Sequence, residues 1–440
     1  MADARPPRSP ARPRSARPDR TPGGPEPLGT APRRAALRLL DAVLRRGEPL
    51  ESALAHATRA LAGGPDRGLA HAIAAETLRW LPDLDALIDS ATRQRLPDDA
   101  KARSALRIAL AQALGLGTPP HAAIATVLPL VDGGPRKLVH GVFGTLMRGE
   151  AKLPEVPTLP AAVAERWRSN WGNDVAAAAA RAIAAPPPID LSYADAAKVL
   201  PDATSLASAH ARVPAGSDVA ALPGYDAGEW WVQDLAASIP ARLIGRGTGT
   251  ALDLCAAPGG KTLQLAAAGW QVTAVEMSES RAVRLRENSE RTGLSFEIAI
   301  ADVLKWSPDA PAQAVLVDAP CSATGIFRRH PDVLHRAHGG IVAEMALLQA
   351  RILERAATWI APGGTLVYAT CSLEPEEGEA QIERFLRDHP DFSIRAPVDG
   401  ELPAGIAAEP EGWVRTLPGM LETVGGCDGF FVARVERASA

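Results

Sequence analysis

From about Tyr225 onward the chain alternates short β-rich runs, glycine-bearing turns and helical patterns, and few folds accept that grammar. Candidate strands are Ala251–Leu254, Gln271–Val275, Ser295–Ile300, Ala314–Val317, Gly364–Ala369 and Gly429–Val435. Helical periodicity fills most of the gaps between them. The alternation predicts an α/β domain over 225–440, built on a doubly wound, mostly parallel sheet. Such sheets bind ligands just beyond the carboxyl ends of their strands, where the strand order reverses. Chemistry is therefore to be sought in the residues directly after each strand.

The earlier residues read differently. Over 32–153 apolar residues recur three and four apart, as in Ala36-Leu37-Leu40-Val43-Leu44 and Leu106-Ile108-Ala109-Leu110-Ala113-Leu114. Breakers at Gly63-Gly64-Pro65, Gly117-Thr118-Pro119-Pro120 and Gly133-Gly134-Pro135 divide the stretch into an all-α domain of five or more helices. Residues 154–224 are mixed. A helix around Ala161–Arg181 ends at Pro186-Pro187-Pro188 and short strand-like pieces follow, which reads as a small mixed α/β connecting domain. Residues 1–31 are rich in Pro and Arg and too poor in apolar side chains to build a core, so they read as a disordered tail.

Composition removes several classes. A hydrophobic content of 46% suffices for two or three packed domains in 440 residues. A net charge of −4 excludes a protein held on nucleic acid by bulk basicity, so any such contact must come from local patches. No apolar run approaches the ~18 residues that span a bilayer, and no apolar signal segment opens the chain. A cytoplasmic, monomeric protein without membrane contact is expected. The four cysteines, Cys255, Cys321, Cys371 and Cys427, include no CxxC pair. They are expected to be free thiols rather than a disulfide framework or a metal site.

The first strand runs into Cys255-Ala256-Ala257-Pro258-Gly259-Gly260-Lys261, and a helix begins at once. Small residues let the backbone approach a ligand, and amides at a helix N-terminus favour an anionic group. For a nucleoside cofactor without phosphates that group is a carboxylate. The second strand ends in Glu276, placed as a ribose-hydroxyl acceptor about 20 residues past the glycine loop. The third ends at Asp302, where a carboxylate can meet an adenine amino group. Each feature has a plainer reading, as a tight turn, an exposed glutamate or a helix cap. Three of them at three successive strand ends are harder to set aside.

The fourth strand leads into Asp318-Ala319-Pro320-Cys321-Ser322 and the fifth into Ala369-Thr370-Cys371-Ser372. A single cysteine after a strand is usually a small buried hydrophobe. Two that emerge from neighbouring strand ends, one just behind a carboxylate, point instead to thiol chemistry beside the cofactor.

These motifs closely resemble the RsmB/Sun family of rRNA cytosine-C5 methyltransferases. The likeness rests on Asp253–Thr262, Asp318–Gly325, Arg328-Arg329-His330-Pro331-Asp332, Tyr368–Ser372, Asp428-Gly429-Phe430-Phe431 and Val232-Gln233-Asp234. The helical region resembles the family's NusB-like RNA-binding domain, notably at Pro119-Pro120-His121-Ala122-Ala123 and Gly141-Val142. The resemblance implies a Rossmann-like methyltransferase domain that uses S-adenosylmethionine. It assigns the cofactor to Cys255 through Lys261, Glu276, Asp302 and Asp318. It implies that Cys371 adds to C6 of cytosine, so that C5 can attack the activated methyl, and that Cys321 assists product release. Asp318 would stabilise the cation-like adduct near N3 and the exocyclic amine. No metal takes part.

A base that reaches a thiol must be unstacked, so a loop or single-stranded RNA is the expected target. Arg328, Arg329 and His330 are expected to grip phosphates beside it, a solvated basic turn being the plain alternative. His140 stands where the family pattern has Asn, Gly144 lies near a missing Arg, and Asp190–Ala194 replaces an Arg-x-Asn pattern. These departures bear on which RNA is bound: small-subunit rRNA leads, with tRNA or another RNA as the rival. A non-catalytic RNA-binding assembly factor has no use for the cofactor loop with both thiols and Asp318. A nicotinamide dehydrogenase would carry a GxGxxG fingerprint, which is missing here.

Overall fold

The computed structural model of the chain describes residues 27–201 and 203–439. The expected tail therefore falls outside the described residues as far as residue 26.

Seven α-helices, Thr30–Arg46, Leu50–Thr58, Gly64–Arg79, Leu81–Ser90, Lys101–Leu110, Pro120–Val127 and Gly133–Arg148, form the first layer. The sequence breakers act as punctuation. Pro65 and Pro120 sit in the first turn of their helices, where a missing N–H costs nothing. Gly47 closes the first helix in the left-handed region. The apolar periodicity is spent on one core, in which Leu39, Leu40, Val43, Ile73, Leu106 and Ile108 are buried. The next helix, Ala161–Ile183, is kinked at Gly172.

A three-stranded antiparallel sheet follows, in the order β2-β1-β3. Its strands are β1 (Ile189–Tyr193), β2 (His210–Val213) and β3 (Trp230–Val232). β3 pairs with β1, so the Val232-Gln233-Asp234 segment belongs by pairing to this small sheet as well as leading into the larger one. Asp190 supplies its anchor. Its carboxylate holds Arg212 through bonds of 2.6 and 2.8 Å and accepts the Leu235 N–H at 3.0 Å.

The large sheet comprises β4 (Thr250–Leu254), β5 (Gln271–Glu276), β6 (Glu297–Ile300), β7 (Ala312–Asp318), β8 (Ile360–Thr370), β9 (Phe392–Ile394), β10 (Val414–Thr416) and β11 (Phe430–Arg437). Its order is β10-β11-β8-β7-β4-β5-β6, with β9 also on β11. β4 to β8 are parallel, as expected, whereas β11 runs antiparallel to β8. The six candidate strands all appear, and β9 and β10 are additional short ones.

The helical domain docks on the loop beyond β7. The Leu50 N–H donates to Asp332 at 3.2 Å, and the His335 ring meets the Leu78 carbonyl at 2.8 Å. Among the described residues no helix is long and apolar enough to cross a membrane.

Candidate active site

β5 and β6 lie on one side of β4, while β7 and β8 lie on the other. The strand order thus reverses between β4 and β7, and the loops leaving β4, β7 and β8 converge there.

The β4 loop ends at Gly259, whose φ is +107°. A Cβ there would stand 2.7 Å from Leu285, so the turn and the packing both require glycine. Helix Gly260–Ala267 starts at once and no side chain caps it. Its first-turn amides are therefore free to hold an anionic group. The buried Glu276 carboxylate accepts the Ala257 N–H at 3.2 Å and the Ser278 N–H at 2.9 Å. Oε2 also meets the Arg281 guanidinium at 3.4 Å, so Oε1 is the oxygen that keeps a second lone pair for a ribose hydroxyl. Met277, beside it, is 71% exposed, an apolar side chain left for a flat partner. Asp302 closes the turn after β6 by accepting the Leu304 N–H at 2.9 Å. Uncapped amides, a diol acceptor and an apolar face along three strand ends fit an elongated nucleoside that carries an amino-acid tail. Among the described residues no group of three or more His, Cys, Asp and Glu side chains could hold a metal ion.

On the other side of the crevice, the register pairs Asp318 with Ala369. Cys321 and Cys371 follow these positions, and their Sγ atoms stand 3.4 Å apart. Lys261 reaches across from the β4 loop and donates to Asp318 Oδ2 at 2.9 Å, with its Nζ 5.3 Å from the Phe430 ring centre. Burial would pull this ammonium down, but Asp318 and the Cys371 sulfur hold its pKa above the ordinary value. Lys261 is thus a fixed cation that feels the charge of Cys371. Its hydrogen bond to Cys371, reinforced by burial, pushes the Cys321 thiol well above the usual range. Burial pushes Cys255 and Cys427 each up to about 12, which leaves them inert. The two central thiols therefore differ in their surroundings from each other and from the remaining pair.

The two cysteine loops are interlocked. Ser372 Oγ meets Ser322 Oγ at 3.2 Å and Thr324 Oγ1 at 3.3 Å. The Gly325 N–H donates to the Cys371 carbonyl at 2.9 Å, and the Gly429 N–H to the Gly325 carbonyl at 2.9 Å. A Cβ at Gly325 would land 1.9 Å from the Gly429 oxygen, so the two motif glycines exist for each other. A cavity of about 380 Å³ opens beside the Lys261–Asp318 ion pair and is also lined by Pro258, Arg284, Asn288 and Val232. A larger one, about 770 Å³, lies among the N-terminal helices. Its lining charges Arg45 and Arg46 are already paired with Asp41, and no cysteine lines it.

The structure corrects the expected phosphate grip. Arg328 is 3% exposed and donates to Asp428 at 2.7 Å and Asp234 at 2.9 Å. Arg329 donates to the same two carboxylates at 3.2 and 2.6 Å. A guanidinium committed to buried carboxylates cannot also meet RNA phosphate, so these arginines bind the β7 loop to the turn before β11 and to the start of helix Leu235–Ile244. Burial alone would raise the Asp234 carboxyl, yet Arg329 and Arg328 outweigh it and hold it below its ordinary value. Arg329 and His330 stay half-buried, but only His330, next to Glu51 of the helical domain, lies outside this quartet of charges. Arg328→Met should cost about 3–5 kcal/mol, since it strands buried charge. Thermal denaturation should show the loss, and an unchanged midpoint would mean that the quartet is idle.

The sequence of residues 243–436 matches the family model described as "16S rRNA methyltransferase RsmB/F", and residues 30–144 match the NusB family. "Ribosomal RNA small subunit methyltransferase B" of Xylella fastidiosa is 33% identical over 433 residues, which cover 92% of this chain and 98% of that protein. The chain belongs to the RsmB/F methyltransferase family. The protein of the same name from Sodalis glossinidius is 34% identical, over 91% of this chain and 96% of its own. Among solved structures, "PH0851" superposes with a TM-score of 0.70 at 22% identity over 92% of this chain and 98% of its own. NSun6 from Pyrococcus horikoshii, solved with SFG, gives 0.55 at 16% identity over 64% of this chain and 99% of its own. The first shares the fold over nearly the whole chain, helical domain in front and α/β domain behind, and the second over about two thirds of it.

For this RsmB/F member the sequence reading passed over one cluster. Glu374, Glu377 and Glu379 follow Cys371 closely, and the first two are fully buried. Glu374 pairs with Arg166 at 2.8 Å, and Glu379 binds Arg415 through both carboxylate oxygens. An acidic run looks solvated in sequence. Its proline and glycine, which turn the chain back under β8, were the available signal.

Proposed function

We propose that this chain transfers a methyl group from S-adenosylmethionine to C5 of a cytosine in small-subunit rRNA, through a bond between Cys371 Sγ and C6 of the base. The observation that carries the reading is the pair of thiols 3.4 Å apart beside the Lys261–Asp318 ion pair. The names of the relatives supply the RNA class. S-adenosylmethionine, when bound, supplies an electrophilic methyl. Cys255 through Lys261 would hold its amino-acid end, Glu276 its ribose, and Met277 with Asp302 its adenine.

The chain's own residues account for the rest. C5 of cytosine is a poor nucleophile until a thiolate adds to C6 and makes the ring electron-rich. Lys261, bound to Asp318, is the cation on this side of the crevice. Asp318, fixed by Lys261, faces the side of the base where positive charge develops. Afterwards the C5 proton must leave and the C6–Sγ bond must break. Cys321 keeps its proton chiefly because Cys371 lies against it. Once Cys371 is a thioether, Cys321 stands next to the adduct, and after giving up its own proton to solvent it takes the C5 proton as a thiolate while the C6–Sγ bond breaks. Arg284, which lines the cavity, and the half-buried His330 are side chains left for backbone phosphates.

The test is direct. The protein is incubated with in vitro transcribed small-subunit rRNA, or with tRNA, and methyl-labelled S-adenosylmethionine, and the digested nucleosides are weighed. Label in 5-methylcytidine from rRNA supports the reading. Label confined to tRNA would move the substrate, and label in any other nucleoside would overturn the C5 chemistry.

A further inference from the structure

The three acids after Cys371 are not equivalent. Glu374 and Glu379 each meet an arginine, as buried carboxylates ordinarily do. Glu377 is 0% exposed, and among the described residues it has no ion pair with any cation. Its Oε2 accepts the Ser322 N–H at 2.8 Å and the Gln349 amide at 3.1 Å. The same Gln349 nitrogen donates to the Pro320 carbonyl at 2.9 Å. Both peptide neighbours of Cys321 are thus held by one Glu377–Gln349 unit. The other end of Glu377 is fixed to β8, because its carbonyl accepts Tyr368 Oη at 2.7 Å and Thr370 Oγ1 at 3.3 Å. Thr370 is the residue before Cys371.

We propose that Glu377 is a positioning residue for Cys321: together with Gln349 it sets the height of the Pro320–Ser322 turn over β8 and so fixes the thiol-to-thiol approach that product release needs. The inference rests on the proposed roles of the two cysteines. A plain structural acid at this place would pair with a cation, as its neighbours do. A clamp instead needs an acceptor aimed at one amide, and that is what Glu377 offers. Burial pushes its carboxyl above the usual range, so it serves as an acceptor and need not be an ion. An amide in its place keeps the acceptor; an alanine does not.

The experiment uses the full chain, in vitro transcribed small-subunit rRNA and labelled S-adenosylmethionine. It reads methyl turnover, denaturation-resistant protein–RNA adduct on a gel, and melting temperature. Glu377→Ala should lose roughly tenfold to a hundredfold in turnover, the scale of a catalytic group displaced by about an ångström. It should also accumulate adduct, as is expected of Cys321→Ala. Glu377→Gln should restore turnover to within about threefold of wild type, with no adduct. Should Glu377→Ala fail to fold, Gln349→Met removes the other half of the clamp and should give the same adduct. Cys321→Ala with adduct but Glu377→Ala and Gln349→Met without any would overturn the clamp and leave the cysteine roles standing. So would glutamine and alanine variants that are equally impaired. No adduct in any variant, Cys321→Ala included, would overturn the cysteine roles and the clamp with them.

Discussion

Replacing Cys371 with alanine should reduce methyl transfer to rRNA by at least ~10³-fold, the scale on which removal of a covalent nucleophile is felt. Binding of S-adenosylhomocysteine, measured by calorimetry, should stay close to wild type. The separation follows from the layout. The cofactor groups sit at the ends of β4, β5 and β6, whereas Cys371 leaves β8, two strands beyond β4 on the other side of the switch point. The thiol makes no hydrogen bond to the cofactor loop, and it packs only at the edge of the core that includes Ala251 and Leu265. Its removal should relieve Lys261 of one neighbour while leaving the Asp318 bond in place. Serine at the same position should be nearly as inactive, because an alkoxide is far harder to form than a thiolate at neutral pH. Turnover by Cys371→Ala within tenfold of wild type would sink the nucleophile assignment. A parallel loss of cofactor binding would mean that the thiol's role is structural.

Much of this layout was readable from residues alone, and the exceptions share a cause. The strand ends were legible because each carries a local signal, a glycine turn, an acid or a Pro-Cys, just past a β-rich run. The placement of Cys321 against Cys371 followed from β7 and β8 being neighbours. Arg328 and Arg329 were misread because a basic pair in sequence does not announce its partners. Asp234 and Asp428 lie 94 and 100 residues from Arg328. Only the fold brings them together, and once buried together they exclude RNA. Glu377 was passed over altogether: nothing in an acidic run marks it out, and only the turn after β8 carries it beneath the Cys321 loop. The Asp190 departure has the same logic. Where a polar RNA contact was expected, the chain uses a carboxylate to bind Arg212 and the helix that opens the large sheet. Local signals fixed position along the chain, while long-range ion pairs decided which charges remained for a ligand.

Replacing Cys321 with alanine should have a different effect, and the difference separates the two thiols. The attack on C6 depends on Cys371, Lys261 and Asp318, none of which Cys321 holds in place by a side-chain bond other than the one to Cys371 itself. Addition and methyl transfer should therefore proceed once. The methylated base then keeps both its C5 proton and its bond to Cys371, because the base for that proton is missing. Steady-state turnover should fall by about 10²–10⁴-fold, the usual worth of a positioned general base. RNA should remain attached to the protein through denaturing electrophoresis, in an amount approaching one RNA per enzyme. Removing Cys321 leaves Cys371 and the Lys261–Asp318 pair in place, so the first addition should be no slower than in wild type. A single-turnover experiment with labelled cofactor reads that step, and a gel reads the trapped product. Normal turnover without adduct would make Cys321 a packing residue. Loss of both the single turnover and the adduct would place it in the attack, on an equal footing with Cys371. Trapped RNA carrying one methyl per enzyme is the one outcome that requires a nucleophile and a separate releasing group 3.4 Å away.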